Sequence, residues 1–252
     1  MDMDWIEPSW SAPPWVRGLC TTRNGGVSTG PFAGLNLADH VGDELSLVAQ
    51  NRALLRARFA LPAEPHWLRQ VHGRIVADVT KNPRNCRADA VIATGPREVC
   101  AVLTADCLPL LLCDEAGTRV AAIHAGWRGL AEGVIEATIG RFAMPPREIL
   151  CWLGPAIGPQ AFEVGAEVRA RFLAQRGEDT KATFVPVAGS ESGWLANLYA
   201  LAHERLHTCG VDRVCGGGLC TYSNPGRFFS YRRDKVTGRM ASLIWIDPDA
   251  GR

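Results

Sequence analysis

Apolar and polar residues recur along the chain with two different periods, which predict a succession of helices and strands. Apolar positions three or four residues apart predict helices over 44–59, 128–142, 165–175 and 194–208. Short apolar runs predict strands at 15–22, 74–79, 88–94, 98–105, 108–113, 119–125, 149–154, 227–232 and 240–246. Both kinds of element are spread over the whole chain.

Turn residues between some of these strands predict two β-hairpins. Residues 114–117 join the strands at 108–113 and 119–125, and residues 234–238 join those at 227–232 and 240–246. Hairpins mixed with strand–helix units favour a mixed sheet flanked by helices, of the α/β or α+β class, over a purely parallel sheet. Because no repeat, low-complexity tract or convincing linker interrupts the pattern, we expect one domain over 1–252.

Composition and charge narrow the class of protein. A chain of 252 residues, 47% of them apolar, can bury a large core. The longest apolar run, from Ala101 to Cys113, is interrupted by Asp106 and is too short to cross a bilayer as a helix. The first residues are acidic where a secretion signal is basic, and the net charge of +1 provides no general attraction to nucleic acid or membrane. We therefore expect a cytoplasmic protein.

The cysteines point to the same compartment. Their number, nine, is odd, and no two of them form a C-x-x-C pair or the regular framework of a small secreted domain. Most are expected to be buried free thiols in a reducing compartment.

Three segments end an apolar run with polar groups that can do chemistry: 67–73, 103–109 and 123–128. If their strands are neighbours, His72, Cys107 and His124 converge. Two imidazoles and a thiolate suit Zn²⁺, and three protein ligands with one open position are typical of a catalytic site; Cu²⁺ can bind the same set. A fourth ligand from Cys86, Cys113 or His66 would instead make a closed structural site.

Several segments carry a resemblance to a known family. They are TTRNGGVS (21–28), GLNLADHVGD (34–43), QVHG (70–73), TADCLPLLLCD (104–114), AAIHAGWRGL (121–130), GPAIGPQAFEVG (154–165) and CTYSNPGRFFSYRRDKVTGRMASLIW (220–245). Over nearly its whole length the chain resembles the bacterial YfiH-type family, whose members have been called laccase-domain proteins, multicopper polyphenol oxidases and purine nucleoside phosphorylases. The resemblance implies a β-sandwich with flanking helices, similar to the catalytic domain of cytotoxic necrotizing factors. It also implies zinc held by His72, Cys107 and His124.

The family resemblance implies several activities. They are phosphorolysis of adenosine, inosine and methylthioadenosine, deamination of adenosine, copper-dependent oxidation of polyphenols, and editing of peptidoglycan precursors. With six histidines and no H-x-H pair, the chain is a poor match to a multicopper laccase. We therefore expect a zinc-dependent purine nucleoside phosphorylase that also deaminates adenosine.

Residues in the resembling segments are candidates for the roles that these reactions require. Asp106 or Glu163 could act as acid or base, although Asp106 could instead orient a histidine. Trp127 or Phe229 could stack on the purine. Arginine donors match phosphate oxygens, and the candidates for this role are Arg23, Arg128, Arg232 and Arg233.

Two other classes of protein use the same three residues. Cys107 could be a nucleophile with His72 or His124 as its base, acting on an amide bond. A noncatalytic metal-binding protein would need the closed site. The expected partners are small molecules, a purine nucleoside and phosphate, while the preferred nucleoside and the oligomeric state remain open.

Overall fold

The computed structural model describes residues 3–247 and 249–250, without the side chains of 176–179. Its strands are β1 (Trp5–Ile6), β2 (Val16–Thr21), β3 (Val76–Asp78), β4 (Ala90–Ala93), β5 (Val99–Thr104), β6 (Leu108–Asp114), β7 (Val120–Ala125), β8 (Ile149–Leu153), β9 (Glu163–Val164), β10 (Phe184–Pro186), β11 (Trp194–Ala196), β12 (Arg213–Gly216) and β13 (Met240–Ile246). Its α-helices are α1 (Leu45–Phe59), α2 (Trp127–Glu132), α3 (Val134–Phe142), α4 (Ala166–Arg176), α5 (Leu198–Thr208) and α6 (Tyr231–Asp234).

Two sheets form the centre of the fold. The larger has the order β12-β8-β6-β7-β4-β3, and the second has the order β1-β2-β13-β5. The larger sheet is mixed, because β12 pairs with β8 and β3 with β4 in parallel, whereas its other pairings are antiparallel. A small sheet of order β10-β11-β9 comes from the chain's second half, and its buried residues share a core cluster with the larger sheet. The mixed-sheet fold class predicted from the sequence is confirmed.

Alternation along β6 shows how the layers stack. Leu110 and Leu112 belong to the cluster that packs under α3 and α5, while Leu111 and Cys113 belong to the cluster between the two sheets. All seven residues of β6 are buried, which explains its uninterrupted apolar run. The outer face of the smaller sheet is covered by α1 through Leu55. The molecule is thus a two-sheet sandwich with helices on both outer faces.

Most of the predicted elements are present, with two helices that differ in extent. The helix predicted over 128–142 is two helices, because Gly133 lies between them with φ of 89°. The helix predicted over 194–208 begins only at Leu198, where the side chain of Asn197 caps it by accepting a hydrogen bond from the Ala200 N–H. Residues 194–196 instead form β11.

The strand predicted at 227–232, and with it the second hairpin, is wrong. The backbone N–H groups of Arg227 and Phe228 both donate to the Asn224 carbonyl oxygen, bonds within a turn that an extended strand does not make. Ser230 then accepts a hydrogen bond from the Arg233 N–H and begins α6. The strand β13 pairs with β2 and β5 instead.

No helix among the described residues is long and apolar enough to cross a membrane.

The predicted hairpin between β6 and β7 is confirmed, and one carboxylate organises its turn. Asp114, only 2% exposed, accepts hydrogen bonds from the backbone N–H groups of Thr118 and Arg119 at 2.7 Å and from the Thr118 hydroxyl at 2.7 Å. These donors lose their partner if the carboxylate is removed, and an unpaired buried donor is costly.

We expect Asp114→Ala to lower the free energy of unfolding by about 2 kcal/mol, the cost of losing hydrogen bonds to a charged acceptor. Urea unfolding under reducing conditions measures it. The control is Glu115→Ala in the same turn, because the Glu115 side chain forms a solvent-exposed ion pair with Arg213. Such pairs contribute less than about 1 kcal/mol. Equal losses in the two variants would contradict the role given to Asp114.

Candidate metal centre and its cavity

The candidate site lies where the chain passes from one sheet to the other. Strand β5 ends at Thr104 in the smaller sheet and β6 begins at Leu108 in the larger one, so residues 105–107 connect the two. Asp106 makes this connection with φ of 94°, a value that a non-glycine residue seldom adopts. Cys107 follows directly, and β7, the antiparallel neighbour of β6, brings His124 opposite Pro109.

The structure brings the three predicted residues together. One ligand atom from each of His72, Cys107 and His124 lies within 4.8 Å of the others. The two imidazole rings meet edge to face, with centroids 4.7 Å apart. Gly126 packs against the cluster so closely that a Cβ there would lie 2.9 Å from the Cys107 Sγ. His72 is exposed, Cys107 half-buried and His124 buried, so the cluster opens to one side.

A single carboxylate holds both histidines. The fully buried Asp89 accepts backbone hydrogen bonds from the N–H groups of Val71, His72 and Gly73 at 2.7 to 3.3 Å. These bonds fix the loop in which His72 has φ of 60°. Asp89 also bonds the Nδ1 of His124 at 2.9 Å, which leaves the Nε2 of that ring for the cluster. A carboxylate on the far nitrogen of a ligating histidine is the usual support of a metal site.

Charges within the cluster favour an ionised cysteine. Burial raises the pKa of the Cys107 thiol, but the charge of His124 and hydrogen bonds from both histidines outweigh burial and lower it well below its ordinary value. Burial lowers the pKa of His124, but the charge of Cys107 and the hydrogen bond to Asp89 more than reverse this. Burial also raises the pKa of Asp89, and hydrogen bonding to His124 and the backbone reverses that effect. A thiolate is the form in which cysteine binds metal or acts as a nucleophile.

Asp106 uses both carboxylate oxygens to hold other segments in place. Its Oδ1 accepts a hydrogen bond from the Thr221 hydroxyl at 2.6 Å, and its Oδ2 accepts one from the Arg232 backbone N–H at 2.7 Å. Its carbonyl oxygen accepts from the Ile157 N–H at 2.9 Å. Asp106 thus positions Thr221 and Arg232 rather than a histidine, and the carboxylate that orients a histidine is Asp89.

The cluster opens into a cavity of about 530 Å³. Among the predicted site residues, those that line it are His72, Asp106, Cys107, His124, Trp127, Arg128 and Arg232. The guanidinium of Arg128 stacks over the Trp127 ring at 4.5 Å. Arg232 donates to the Glu163 carbonyl oxygen at 2.7 Å. The cavity therefore combines aromatic and cationic walls beside the three candidate ligands.

Other predicted residues are not brought to this cavity. Phe229 is fully buried and Arg23 stacks on it at 4.7 Å, so neither is a cavity wall, and the structure does not support their predicted contacts with purine and phosphate. The Arg233 guanidinium is bonded to Asp234 and to the carbonyl oxygens of 221, 222 and 228. Glu163 lies outside the cavity and contributes only its backbone carbonyl. Phe229 and Arg233 lie in the segment of turn and helix α6 that replaces the predicted strand at 227–232.

Sequence reasoning missed Asp89 and Arg239. A signal for Asp89 was present, because a carboxylate between two alanines at the start of an apolar strand must find buried donors. Arg239 lines the cavity together with His40, Gln70 and Tyr231. These residues come from loops far apart in the chain, and no local pattern identifies them.

The donors fit a single metal ion. Two imidazoles and a thiolate suit Zn²⁺, and a histidine already oriented by a carboxylate adds to the fit. No fourth His, Cys, Asp or Glu joins the cluster within 3–247 and 249–250, so the closed site with Cys86, Cys113 or His66 is not found there. The same residues contain no second converging group of three such side chains, which several copper ions would require.

Comparisons with known proteins agree with this picture. Residues 17–247 match the family model described as "Multi-copper polyphenol oxidoreductase laccase". The chain is 52% identical to the Shigella flexneri protein named "Purine nucleoside phosphorylase YfiH", covering 96% of this chain and 98% of the relative. It is 46% identical to the Haemophilus influenzae "Purine nucleoside phosphorylase", covering 97% and 100%.

Solved structures share the fold. The crystal structure of the Neisseria meningitidis protein NMB0706 is 45% identical, with a TM-score of 0.91 over 96% of this chain and 99% of that one. The Bacillus licheniformis hypothetical protein YfiH is 27% identical, with a TM-score of 0.87 over 92% of each chain. The chain therefore belongs to the multi-copper polyphenol oxidoreductase laccase family, an enzyme family that includes proteins named purine nucleoside phosphorylase.

Proposed function

We propose that this chain, as a single domain over 1–252, is a zinc-dependent purine nucleoside phosphorylase that also deaminates adenosine. The observation that carries the proposal is the His72–Cys107–His124 cluster, which opens into a cavity with arginine and aromatic walls. The names of relatives at 46 to 52% identity support the same reaction class. We place the protein in the cytoplasm, since its nine cysteines are all free thiols.

In this proposal His72, Cys107 and His124 hold the metal. Zinc is favoured because the donor set is borderline in softness and leaves a position open, although Cu²⁺ competes for the same ligands. A bound zinc ion supplies Lewis-acid chemistry, which stabilises negative charge that develops on the substrate. Asp89 holds the two histidines in place before the ion arrives, so that little reorganisation accompanies binding.

Other side chains bind and orient the two substrates. Arg128 and Arg232 supply positive charge for phosphate, whose oxygens match the planar donors of a guanidinium. Trp127 and Phe162 supply apolar wall against a purine. The cavity is bounded by both sheets, and it holds phosphate and the ribose close together so that the bond to the base can be displaced.

A second candidate reaction is favoured by one observation. A Cys107 thiol ionised beside two histidines also suits a nucleophile that attacks an amide carbonyl. A metal-bound thiolate is not free for that role. Occupancy of the site by zinc therefore decides between the two reactions.

The first experiment incubates metal-analysed protein with adenosine, with and without phosphate, and follows adenine, ribose 1-phosphate and inosine by chromatography. We expect adenine with ribose 1-phosphate only when phosphate is present, and inosine in both conditions. Cys107→Ala should abolish both reactions and reduce bound zinc to trace levels, because it removes one of three ligands.

The matched control is Cys86→Ala, a half-buried cysteine outside the cluster, which should retain zinc and activity. Full activity of Cys107→Ala would refute the site. Stoichiometric zinc with neither reaction would refute the nucleoside function while leaving the metal centre intact.

Asp89→Asn tests the support of the two histidines. An amide presents one acceptor oxygen where three backbone N–H groups and His124 need two, so the His72 loop loses its anchor. Loss of such a support typically weakens metal binding about 10- to 100-fold. Competition with a chromogenic chelator measures the zinc affinity. Asp78→Asn, which removes a carboxylate bonded to Thr80 outside the cluster, should leave the affinity unchanged.

Alkylation separates the metal ligand from the free nucleophile. In the apo-protein at neutral pH we expect iodoacetamide to label Cys107 rapidly, and zinc to suppress that labelling. Cys220 is an internal control, because it is not part of the cluster, and although burial raises its pKa, hydrogen bonds from Ser223 and Gly158 lower it below its ordinary value. Peptide mass spectrometry follows both sites. Rapid labelling of Cys107 in zinc-saturated protein would favour the amide hydrolase.

A further inference from the structure

The cavity beside the candidate metal centre carries an excess of positive charge. Three guanidinium groups line it, those of Arg128, Arg232 and Arg239, against the single carboxylate of Asp106. Both oxygens of that carboxylate are already bonded to Thr221 and to the Arg232 backbone. The Cys107 thiolate faces the two imidazoles, so the half-buried Arg232 and Arg239 have no free carboxylate to pair with among the lining residues, and the chemistry of these walls calls for an anionic ligand.

Arg239 is the best fixed of the three. Its Nη1 donates to the carbonyl oxygens of Thr237 at 2.8 Å and Gly238 at 3.0 Å, and its backbone N–H donates to Asn36 Oδ1 at 3.0 Å. The Tyr231 ring lies 5.8 Å from its guanidinium carbon. These contacts hold the half-buried side chain in one orientation.

The remaining donors of Arg239 are available. Within the described part of the chain, its Nε and Nη2 have no hydrogen-bond partner and it forms no ion pair with a carboxylate. Burial lowers the pKa of Arg239, partly offset by the nearby Cys107 and Asp106. Arg239 and Cys107 line the same cavity.

The side chains of the other two cavity arginines make different contacts. Arg232 donates its Nη1 to the Glu163 carbonyl oxygen and lies over the Phe162 ring at 5.4 Å. Arg128 is exposed and stacks on Trp127 at 4.5 Å. Arg232, like Arg239, is half-buried and leaves its Nε and Nη2 without partners among the described residues, but one solvent-exposed bond fixes it, whereas two part-buried bonds fix Arg239. Arg239 is therefore the more firmly oriented of the two.

We propose that Arg239 is the principal binding residue for the phosphate co-substrate, contacting two of its oxygens through Nε and Nη2. This proposal rests on the phosphorylase function for the identity of the anion, while the geometry and charge of the cavity select the residue. Arg232 adds charge to the same subsite. Arg23 and Arg233, the candidates from outside the cavity, have no part in it.

The test uses the zinc-loaded full chain and inorganic phosphate. In Arg239→Met we expect the KM for phosphate to rise about 10- to 100-fold, the effect of losing charge-assisted hydrogen bonds. The KM for adenosine and the zinc content should stay near those of the unmodified protein. Arg239→Lys keeps the charge without the planar pair of donors, so its KM for phosphate should fall between the two.

Arg97→Met is the matched control, because Arg97 is exposed, lies outside the cavity and pairs with Asp249 on the surface. It should leave every parameter unchanged. Thermal unfolding establishes whether each variant is folded. If Arg239→Met is not folded, the KM for phosphate of Arg239→Lys is compared with that of the unmodified protein instead.

Calorimetric titration of inorganic phosphate into the same proteins keeps this test separate from the proposed function. Weaker phosphate binding in the Arg239 variants supports the subsite even if the unmodified protein proves inactive on nucleosides. Equal phosphate affinity in folded Arg239→Met and unmodified protein would overturn the assignment, whatever the catalytic activity.

Discussion

The buried carboxylate of Asp89 is the interaction on which the candidate site depends. A carboxylate with no solvent exposure is strongly unfavourable unless donors surround it, and here three backbone N–H groups and an imidazole do so. The same bonds hold the His72 loop in a left-handed conformation and orient the His124 ring. One charge thus sets the positions of two side chains that are 52 residues apart in the chain.

The passage between the two sheets provides the third side chain and the floor of the cavity. Asp106 adopts a backbone conformation that costs about 1–3 kcal/mol for a residue with a side chain, and its hydrogen bonds to Thr221, Arg232 and Ile157 offset that cost. These bonds draw the 221–232 segment over the cavity next to Cys107. The hydrogen bonds that stabilise the strained turn at Asp106 are therefore the same bonds that hold the cavity together.

The cavity separates two kinds of chemistry on its walls. One side presents the thiolate and imidazoles, suited to a soft-to-borderline cation, and the other presents guanidinium groups, suited to an anion. Such a division suits a reaction between a polarised organic substrate and an oxyanion. It does not suit a site with several copper ions, because the described residues contain a single cluster of possible metal ligands.

The sequence by itself determined the layered fold, the β6–β7 hairpin and the three converging residues, because period-two alternation, turn residues and polar groups at strand ends are local signals. Only the tertiary structure decided that Asp89 supports both histidines, that Asp106 is fully bonded, and that Arg239 rather than Arg23 lines the cavity. The prediction that Phe229 contacts the purine was wrong for the same reason. The apolar pattern around Phe228 and Phe229 predicts a strand, whereas the structure has a turn followed by α6, which Ser230 caps. Contacts between separate segments, such as Asp89 with His124 35 residues away and Asp106 with Thr221 115 residues away, leave no periodic trace in the sequence, because they arise only when the chain folds.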